Sequence, residues 1–163
     1  MNRTIEMGWL KKSEIQEAVK LEWFSEHTFW NIKDFRAIFS RKSNIVPIVF
    51  RYNDKLRAFC IYEYNDYKYS ILNLIVHPYH RRVGIGSLLI ANLMNKVEHY
   101  HKNKIDIIIR DIKNDVAHLF LESLNFKFDG IRPNYYSVYD KIGNIVGSAT
   151  GLSYVWRPRE FSS

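Results

Sequence analysis

Hydrophobic residues recur at helical spacing in the first quarter of the chain. Ser13 and Gln16 form a capping-box pattern, and the apolar stripe after them predicts an amphipathic helix that runs to about Ser25. A short strand near Thr4–Met7 precedes this helix, and a second helical piece is predicted to begin at Ser25 or Asn31. The N-terminal part of the chain is therefore predicted to be mainly helical.

The hydrophobic period shortens beyond residue 44, where three strand-like runs follow one another. Ile45–Tyr52 and Leu56–Tyr64 are predicted strands joined by the turn residues Asn53 and Asp54. Tyr69–Val76 is a third predicted strand, and its nearly continuous apolar end predicts a central place in the sheet. Two hairpins in succession predict an antiparallel meander.

A strand–helix–strand unit follows the meander. A helix predicted over Gly84–His101 leads from the third strand to a short buried strand at Ile105–Arg110, and such a crossover makes the two strands parallel. Asn114 is predicted to cap a further helix that ends near Leu124. The remaining predicted strands are Phe126–Ile131, Tyr135–Tyr139 and Leu152–Trp156. The predicted fold class is α+β, with a mixed, mostly antiparallel sheet that holds one parallel pair in its middle.

The loop after the third strand carries the pattern that an anion-binding helix start needs. A turn-forming proline and the pair Arg81-Arg82 are followed by Gly84 and Gly86, directly before the helix. Glycine lets the backbone approach a ligand without a Cβ in the way, and the first amides of a helix lack intrahelical partners and attract anions. The loop is therefore predicted to bind phosphate, with support from both arginines and the Ser87 hydroxyl.

Two other phosphate-binding loops are excluded by the spacing. No third glycine follows Gly86 at the dinucleotide-binding interval, and no Gly-Lys-Ser/Thr sequence follows it either. The remaining alternative is a helix start that contains two glycines by chance. The order of strand, proline, double arginine and helix favours a functional loop.

Composition restricts the class of protein. With 163 residues, of which 47% are hydrophobic and 15% aromatic, the chain is predicted to form one folded domain over residues 1–163. No run reaches the roughly 18 apolar residues that a membrane span needs, and the N-terminus has no secretory h-region. Cys60 is the single cysteine and lies in an apolar run, which predicts a buried thiol in a cytoplasmic protein.

The formal net charge of +7 is compatible with nucleic acid, an acidic partner or a phosphorylated ligand. Lysines and arginines are spread along the chain, and the densest pair with glycines beside it is Arg81-Arg82. This arrangement favours a small phosphorylated ligand over a long polyanion. No metal is expected, because the histidines are not paired with acidic residues at metal-ligand spacing.

At the loop the sequence resembles the GNAT superfamily of acyl-CoA-dependent N-acetyltransferases. The family's phosphate motif, [Gln/Arg]-x-x-Gly-x-[Gly/Ala], is matched by Arg81, Gly84 and Gly86. A second family feature is an Asn-x-x-Ala helix that ends in Gly-Phe, and its matching residues here are Asn114, Ala117 and Phe126. Asn125 replaces the glycine, and asparagine tolerates the left-handed conformation that such a helix end requires.

The resemblance implies a GNAT fold in which the two central parallel strands splay apart and acetyl-CoA, the cosubstrate, lies in the gap. Acetyl would pass to a primary amine by direct attack within a ternary complex. The residues that the resemblance assigns to cosubstrate binding are Leu74, Ile75, Val76, Arg81, Arg82, Val83, Gly84, Ile85, Gly86, Ser87 and Asn114.

A narrower likeness concerns the acceptor. Arg132-Pro133-Asn134-Tyr135-Tyr136 is similar to the Arg/Lys-x-Asn-Tyr-Tyr segment of protein N-terminal acetyltransferases, including those that modify ribosomal-protein alanine. In those enzymes the tyrosines hold the peptide backbone, so Tyr135 and Tyr136 are candidate substrate-binding residues. The alternative is an aromatic-rich hairpin in a chain with 11 tyrosines.

The usual catalytic side chains of the family are missing. Alignment of Asn114 and Ala117 places Leu121 where many members carry a proton-donating tyrosine, and Ile109 where N-terminal acetyltransferases often carry a carboxylate or histidine. An α-amino group with a pKa near 8 is about one-tenth neutral at pH 7, so it asks less of a base than lysine does. This favours a protein or peptide N-terminus as the acceptor.

Nonstandard groups are the other explanation for the missing side chains. Tyr135 is the first candidate for a catalytic role, and the other candidates are Tyr136, Glu22, Glu26, His77 and Asp111. Glu22 and Glu26, on the first helix, are also candidate substrate-binding residues. For the glutamates the alternative is a solvated helix face. Two other functions remain open, namely acetylation of a small metabolite or antibiotic amine and binding of acyl-CoA without turnover.

Overall fold

A computed structural model describes residues 2–113 and 115–159 of the 163-residue chain. The strands are β1 (Ile5–Trp9), β2 (Ile45–Tyr52), β3 (Lys55–Tyr64), β4 (Lys68–Val76), β5 (Lys104–Arg110), β6 (Lys127–Tyr139) and β7 (Ile145–Trp156). The helices are α1 (Ile15–Glu22), α2 (Ile32–Ala37), α3 (Ile85–His99) and α4 (Ala117–Ser123). Short 3-10 turns at Lys12–Glu14 and Pro78–His80 precede α1 and α3.

All seven strands belong to one sheet in the order β1-β2-β3-β4-β5-β7-β6. Every neighbouring pair is antiparallel except β4 and β5, which run parallel because α3 connects them as a crossover. The predicted mixed sheet with a central parallel pair is therefore confirmed, and β4 holds the central place that its apolar end predicted.

The helices cover both faces of the sheet. On one face α3 and α4 bury an apolar cluster that includes Leu89, Leu93 and Leu121. On the other face α1 and α2 bury a cluster around Phe35 and Phe59. The meander contributes side chains to both clusters, because successive residues of a strand point to opposite faces. None of the helices in residues 2–113 and 115–159 combines the length and hydropathy of a bilayer-spanning segment.

Several local predictions are confirmed. Asn53 and Asp54 have φ values of 49° and 61°, as the tight turn between β2 and β3 requires. Asn125 has a φ of 65°, and the Phe126 amide behind it donates to the Leu121 carbonyl, so asparagine does end α4 in the left-handed conformation. Cys60 is fully buried, and burial raises the pKa of its thiol to about 12.

The start of the first helix differs from the prediction. Ser13 and Gln16 form no capping box. Instead, the Glu14 carboxylate accepts a hydrogen bond from the Lys11 amide at 2.8 Å and pairs with the buried Arg51 guanidinium. The start of the helix is fixed by the ion pair between Glu14 and Arg51 of β2, and a contact with a distant strand cannot be predicted from the local pattern of the helix.

The late strands also differ. Segments 126–131 and 135–139 were predicted as separate strands, but β6 is a single strand with a bulge between Arg132 and Tyr136. Pro133 does not end the strand, because β6 lies at the edge of the sheet and one missing amide is tolerated there. Strand β7 begins at Ile145, seven residues earlier than predicted, and forms a long antiparallel hairpin with β6.

Candidate active site

The loop between β4 and α3 presents a row of main-chain amides. Gly84 has a φ of 86° and forms the N-terminal cap of α3, and Arg82 also has a positive φ of 62°. Among the described residues, the amides of residues 82–87 donate no hydrogen bond. These amides, together with the positive end of the 15-residue helix α3, suit a negatively charged ligand.

The side chains of this loop also suit a negatively charged ligand. Arg81, Arg82 and Val83 are exposed, whereas Ile85 is buried and anchors the start of α3. The Arg81 Nε donates to the Val76 carbonyl at 2.9 Å, which folds the arginine back toward the end of β4. A Cβ on Gly86 would lie 3.2 Å from the Phe120 ring of α4, so a larger residue here would require that ring to shift. The residues present therefore fit a diphosphate.

A gap opens where the two parallel strands stop pairing. The β4–β5 ladder ends at the Ile71–Ile107 pair. The His77 amide donates to the Arg57 carbonyl on β3, and hydrogen-bonded pairs alternate along an antiparallel ladder. The main-chain groups of Leu74 and Val76 therefore point into the gap, whereas those of Ile75 point toward β3.

The α1–α2 connection and β6 both form hydrogen bonds with the part of β5 that no longer pairs with β4. The Tyr136 hydroxyl of β6 donates to the Ile108 carbonyl at 2.9 Å, and burial raises the pKa of this tyrosine to about 12. The Arg110 amide donates to His27 Nδ1 in the α1–α2 connection at 3.1 Å. The other ring nitrogen, Nε2, lies 3.0 Å from Asp115. Burial nevertheless lowers the pKa of His27, so the neutral ring is favoured as a link between the two loops.

These attachments enclose a groove of about 680 Å³ on the α1–α2 face of the sheet, beside the gap. The α1–α2 connection forms one wall with Phe29 and Trp30, and β6 forms the other with Tyr135 and Tyr136. The floor is made by β4 and β5. The groove is open enough to admit an extended chain segment and leads to the point where the strands separate.

A buried polar network lies next to the gap and contains Glu22. Its side chain is 5% exposed and accepts hydrogen bonds from the Thr28 hydroxyl (2.5 Å), the Trp30 amide (3.1 Å) and the Asn73 side-chain amide (2.6 Å). Burial raises the pKa of this carboxyl, and the bonds from Thr28 and Asn73 oppose the rise. Because both carboxylate oxygens are engaged, the network fixes the α1–α2 connection to β4.

The predicted site residues are only partly brought together. Tyr135 and Tyr136 both line the groove, with ring centroids 4.8 Å apart. Tyr135 is 52% exposed, so its ring can meet a ligand. The structure separates the two glutamates, because Glu22 is buried in the network and Glu26 is exposed. Their substrate-binding role stays a prediction.

Two further expectations concern α4 and the core. Asn114 lies outside the described residues, and α4 begins three residues later, at Ala117. Leu121 and Ile109 are both buried in the apolar cluster under α3. Neither side chain can exchange a proton.

Sequence reasoning missed the residues that tie the groove together, which are His27, Thr28 and Asn73. Asn73 gave a usable signal, since it is the only polar residue in the run Ile71–Val76 and an isolated polar group in a buried strand needs a partner. His27 and Thr28 gave none, because they lie in a connection whose path depends on contacts with distant strands.

Comparison with known proteins identifies the family to which this architecture belongs. The model of the acetyltransferase (GNAT) family matches residues 12–126. The [ribosomal protein bS18]-alanine N-acetyltransferase of Escherichia coli K12 is 25% identical over 131 residues, which cover 80% of this chain and 86% of that protein. The N-alpha-acetyltransferase 60 of Drosophila melanogaster is 37% identical over 73 residues, which cover 44% of this chain but only 26% of the fly protein.

Solved structures agree on the fold. The crystal structure of the E. coli ribosomal-protein-S18-alanine N-acetyltransferase superposes with a TM-score of 0.76 at 22% identity, covering 94% of both chains. Arabidopsis thaliana NAA60 in complex with a bisubstrate analogue has a TM-score of 0.76 at 14% identity, covering 94% of this chain and 98% of that one. Loop, gap, sheet and family model agree, and the chain is a member of the GNAT family of acetyltransferases.

Proposed function

We propose that this enzyme transfers acetyl from acetyl-CoA to the α-amino group of a protein or peptide by direct attack within a ternary complex. The observation that carries the proposal is the position of the groove, which meets the splayed strands from the face opposite α3. Cosubstrate and acceptor then approach the same gap from two sides. We also expect a cytoplasmic location.

The cosubstrate half of the proposal rests on the loop and β4. The amides of residues 82–87 would hold the diphosphate, with Arg81, Arg82 and Ser87 at the rim. The main-chain groups of Leu74 and the Val76 amide point into the gap and would bond the pantetheine arm, whereas the Val76 carbonyl already accepts a hydrogen bond from Arg81. Acetyl-CoA supplies an activated thioester carbonyl, and the protein's task is to bring an amine into line with it.

The acceptor half rests on the groove and on the relatives. An extended peptide would lie between Phe29 and Tyr135, which line opposite walls of the groove. The relatives described above include an N-alpha-acetyltransferase and a ribosomal-protein-alanine N-acetyltransferase. An α-amino group is about one-tenth neutral at pH 7, so deprotonation costs only about 1.4 kcal/mol. Positioning alone therefore supports turnover without a strong base.

Tyr135 is the proposed catalytic side chain. It is an exposed phenol of the groove, whereas the Tyr136 hydroxyl is engaged with the Ile108 carbonyl. A phenol in this place can donate a hydrogen bond to the departing thiolate or to the acceptor backbone. Leu121 and Ile109 cannot replace it.

A substrate panel tests the proposal. Wild-type enzyme is assayed for coenzyme A release with peptides that have free N-termini, with the same peptides blocked at the N-terminus, and with small metabolite and antibiotic amines. We expect turnover of the free peptides only. Turnover confined to small amines would overturn the peptide assignment, and tight acetyl-CoA binding in calorimetry with no turnover would indicate a binding module.

A further inference from the structure

One cation occupies an unusual place in the groove. Arg110 is the last residue of β5, and its guanidinium lies 4.7 Å from the ring centroid of Phe29 and 4.7 Å from that of Tyr136. The two aromatic rings belong to opposite walls, so the guanidinium bridges the groove. Stacking engages the faces of the guanidinium and leaves its edge, where the N–H donors are, for other partners.

The donors of Arg110 are largely unused. Its Nε is buried without a hydrogen-bond partner among the described residues. One terminal nitrogen lies 3.4 Å from the Ser137 carbonyl, which is a long contact for a charged donor. Within residues 2–113 and 115–159, no carboxylate forms an ion pair with this side chain. A partly buried cation with an unpaired donor is costly unless a ligand completes it.

None of the described carboxylates around the groove forms an ion pair with Arg110. Asp106 pairs with Lys68 at 2.5 Å, and Asp115 lies against His27. Glu63 accepts a hydrogen bond from Asn44 at 3.2 Å. Asp129 also lines the groove, without an ion pair to Arg110.

Arg110 also lies at a definite distance from the point where β4 and β5 separate. It stands two residues beyond Ile108, where the strands have just separated, and two strand residues span about 7 Å. An extended acceptor advances by roughly 3.5 Å per residue. A peptide whose amine reaches the gap therefore carries its first or second side chain past the guanidinium.

We propose that Arg110 selects acceptors with a carboxylate, namely an Asp or Glu side chain at the first or second residue of the peptide. This inference rests on the proposed function and deepens it. The two terminal nitrogens of the guanidinium lie side by side, which matches the two oxygens of a carboxylate. Phe29 and Tyr136 hold the guanidinium in place before the acceptor arrives, so little side-chain freedom is lost on binding.

Matched peptides test the proposal. The kcat/KM of wild-type enzyme is compared for peptides that differ only by Glu against Gln at residue one or two. A charge-assisted hydrogen bond contributes about 1.5–3 kcal/mol, so we expect the Glu peptide to be preferred by at least about tenfold at one of the two positions. We expect Arg110→Gln to bring this ratio close to one, and Arg110→Lys to keep part of it.

The control variant is Lys104→Gln, which removes a cation from the same groove near Tyr67. It should leave the Glu/Gln ratio unchanged. An equal fall of the ratio in this variant would show that the general field of the groove, and not Arg110, selects the acceptor, and would overturn the proposal.

The wild-type ratio keeps the test decisive even if Arg110 variants do not fold. Raising the salt concentration from 50 to 500 mM should leave most of the Glu/Gln ratio, because a partly buried charge pair is screened much less than exposed charges are. A ratio that falls to one at 500 mM would assign the preference to the general field of the groove and overturn the role of Arg110. Equal turnover of both peptides would refute the Arg110 assignment and leave the proposed function standing. Turnover of free glutamate but of no peptide would place the carboxylate on a metabolite and overturn the proposed function itself.

Discussion

The network around Glu22 gives a sharp quantitative prediction through the substitution Thr28→Val. Valine keeps the shape of threonine but removes the hydroxyl that donates to Glu22 Oε1 at 2.5 Å and lies 3.0 Å from the Asn73 side-chain oxygen. A hydrogen bond to a charged group contributes about 1.5–3 kcal/mol, and the acceptor here is buried. We therefore expect Thr28→Val to lower the free energy of unfolding by about 2 kcal/mol at pH 7.

The pH dependence of this loss identifies its cause. Burial raises the pKa of Glu22, so its carboxyl binds a proton more tightly in the folded state than in the unfolded state. The stability that this group contributes is fully present below its unfolded pKa and is lost as pH rises through its folded pKa. A neutral carboxyl needs the Thr28 donor less, and the effect of Thr28→Val should shrink to about 1 kcal/mol below pH 4.

Urea unfolding followed by tryptophan fluorescence measures both values. The comparison is the difference between variant and wild type at each pH, so other titrating groups cancel. Thr28→Ser keeps the hydroxyl and should cost markedly less at pH 7. An equal loss at both pH values, or no loss at all, would refute the assignment of the Thr28 hydroxyl as the donor to a buried carboxylate.

Three further predictions follow from the site. Gly84→Ala should lower stability by about 1 kcal/mol through its φ of 86° alone, since no atom lies within 4 Å of an added Cβ, and should weaken coenzyme A binding in calorimetry. Because burial lowers the pKa of His27, its contribution is present above its unfolded pKa and wild-type stability should fall as pH drops below about 6.5. His27→Gln should flatten that fall in urea unfolding. Tyr135→Phe should reduce kcat about tenfold with stability unchanged, and an unaltered kcat would exclude its hydroxyl from the reaction.

Much of the fold was predictable because its signals are local. The bounds predicted for β2 were confirmed, and α3 lies within two residues of its predicted bounds, since strand alternation and helical spacing are short-range patterns. The split predicted for β6 was wrong because a proline acts differently in an edge strand, and strand order is a property of the whole sheet.

The sequence by itself determined the backbone form of the loop between β4 and α3. Gly84 before a long helix fixes a left-handed residue and a set of unpaired amides, and both follow from backbone geometry within a few residues. The groove between the α1–α2 connection and β6 was decided only by tertiary structure. His27, Asn73 and Arg110 are far apart in the sequence, and each contacts a residue of another segment. Beyond the point where β4 and β5 separate, their main-chain groups lack a partner strand, so hydrogen bonds from other segments satisfy them.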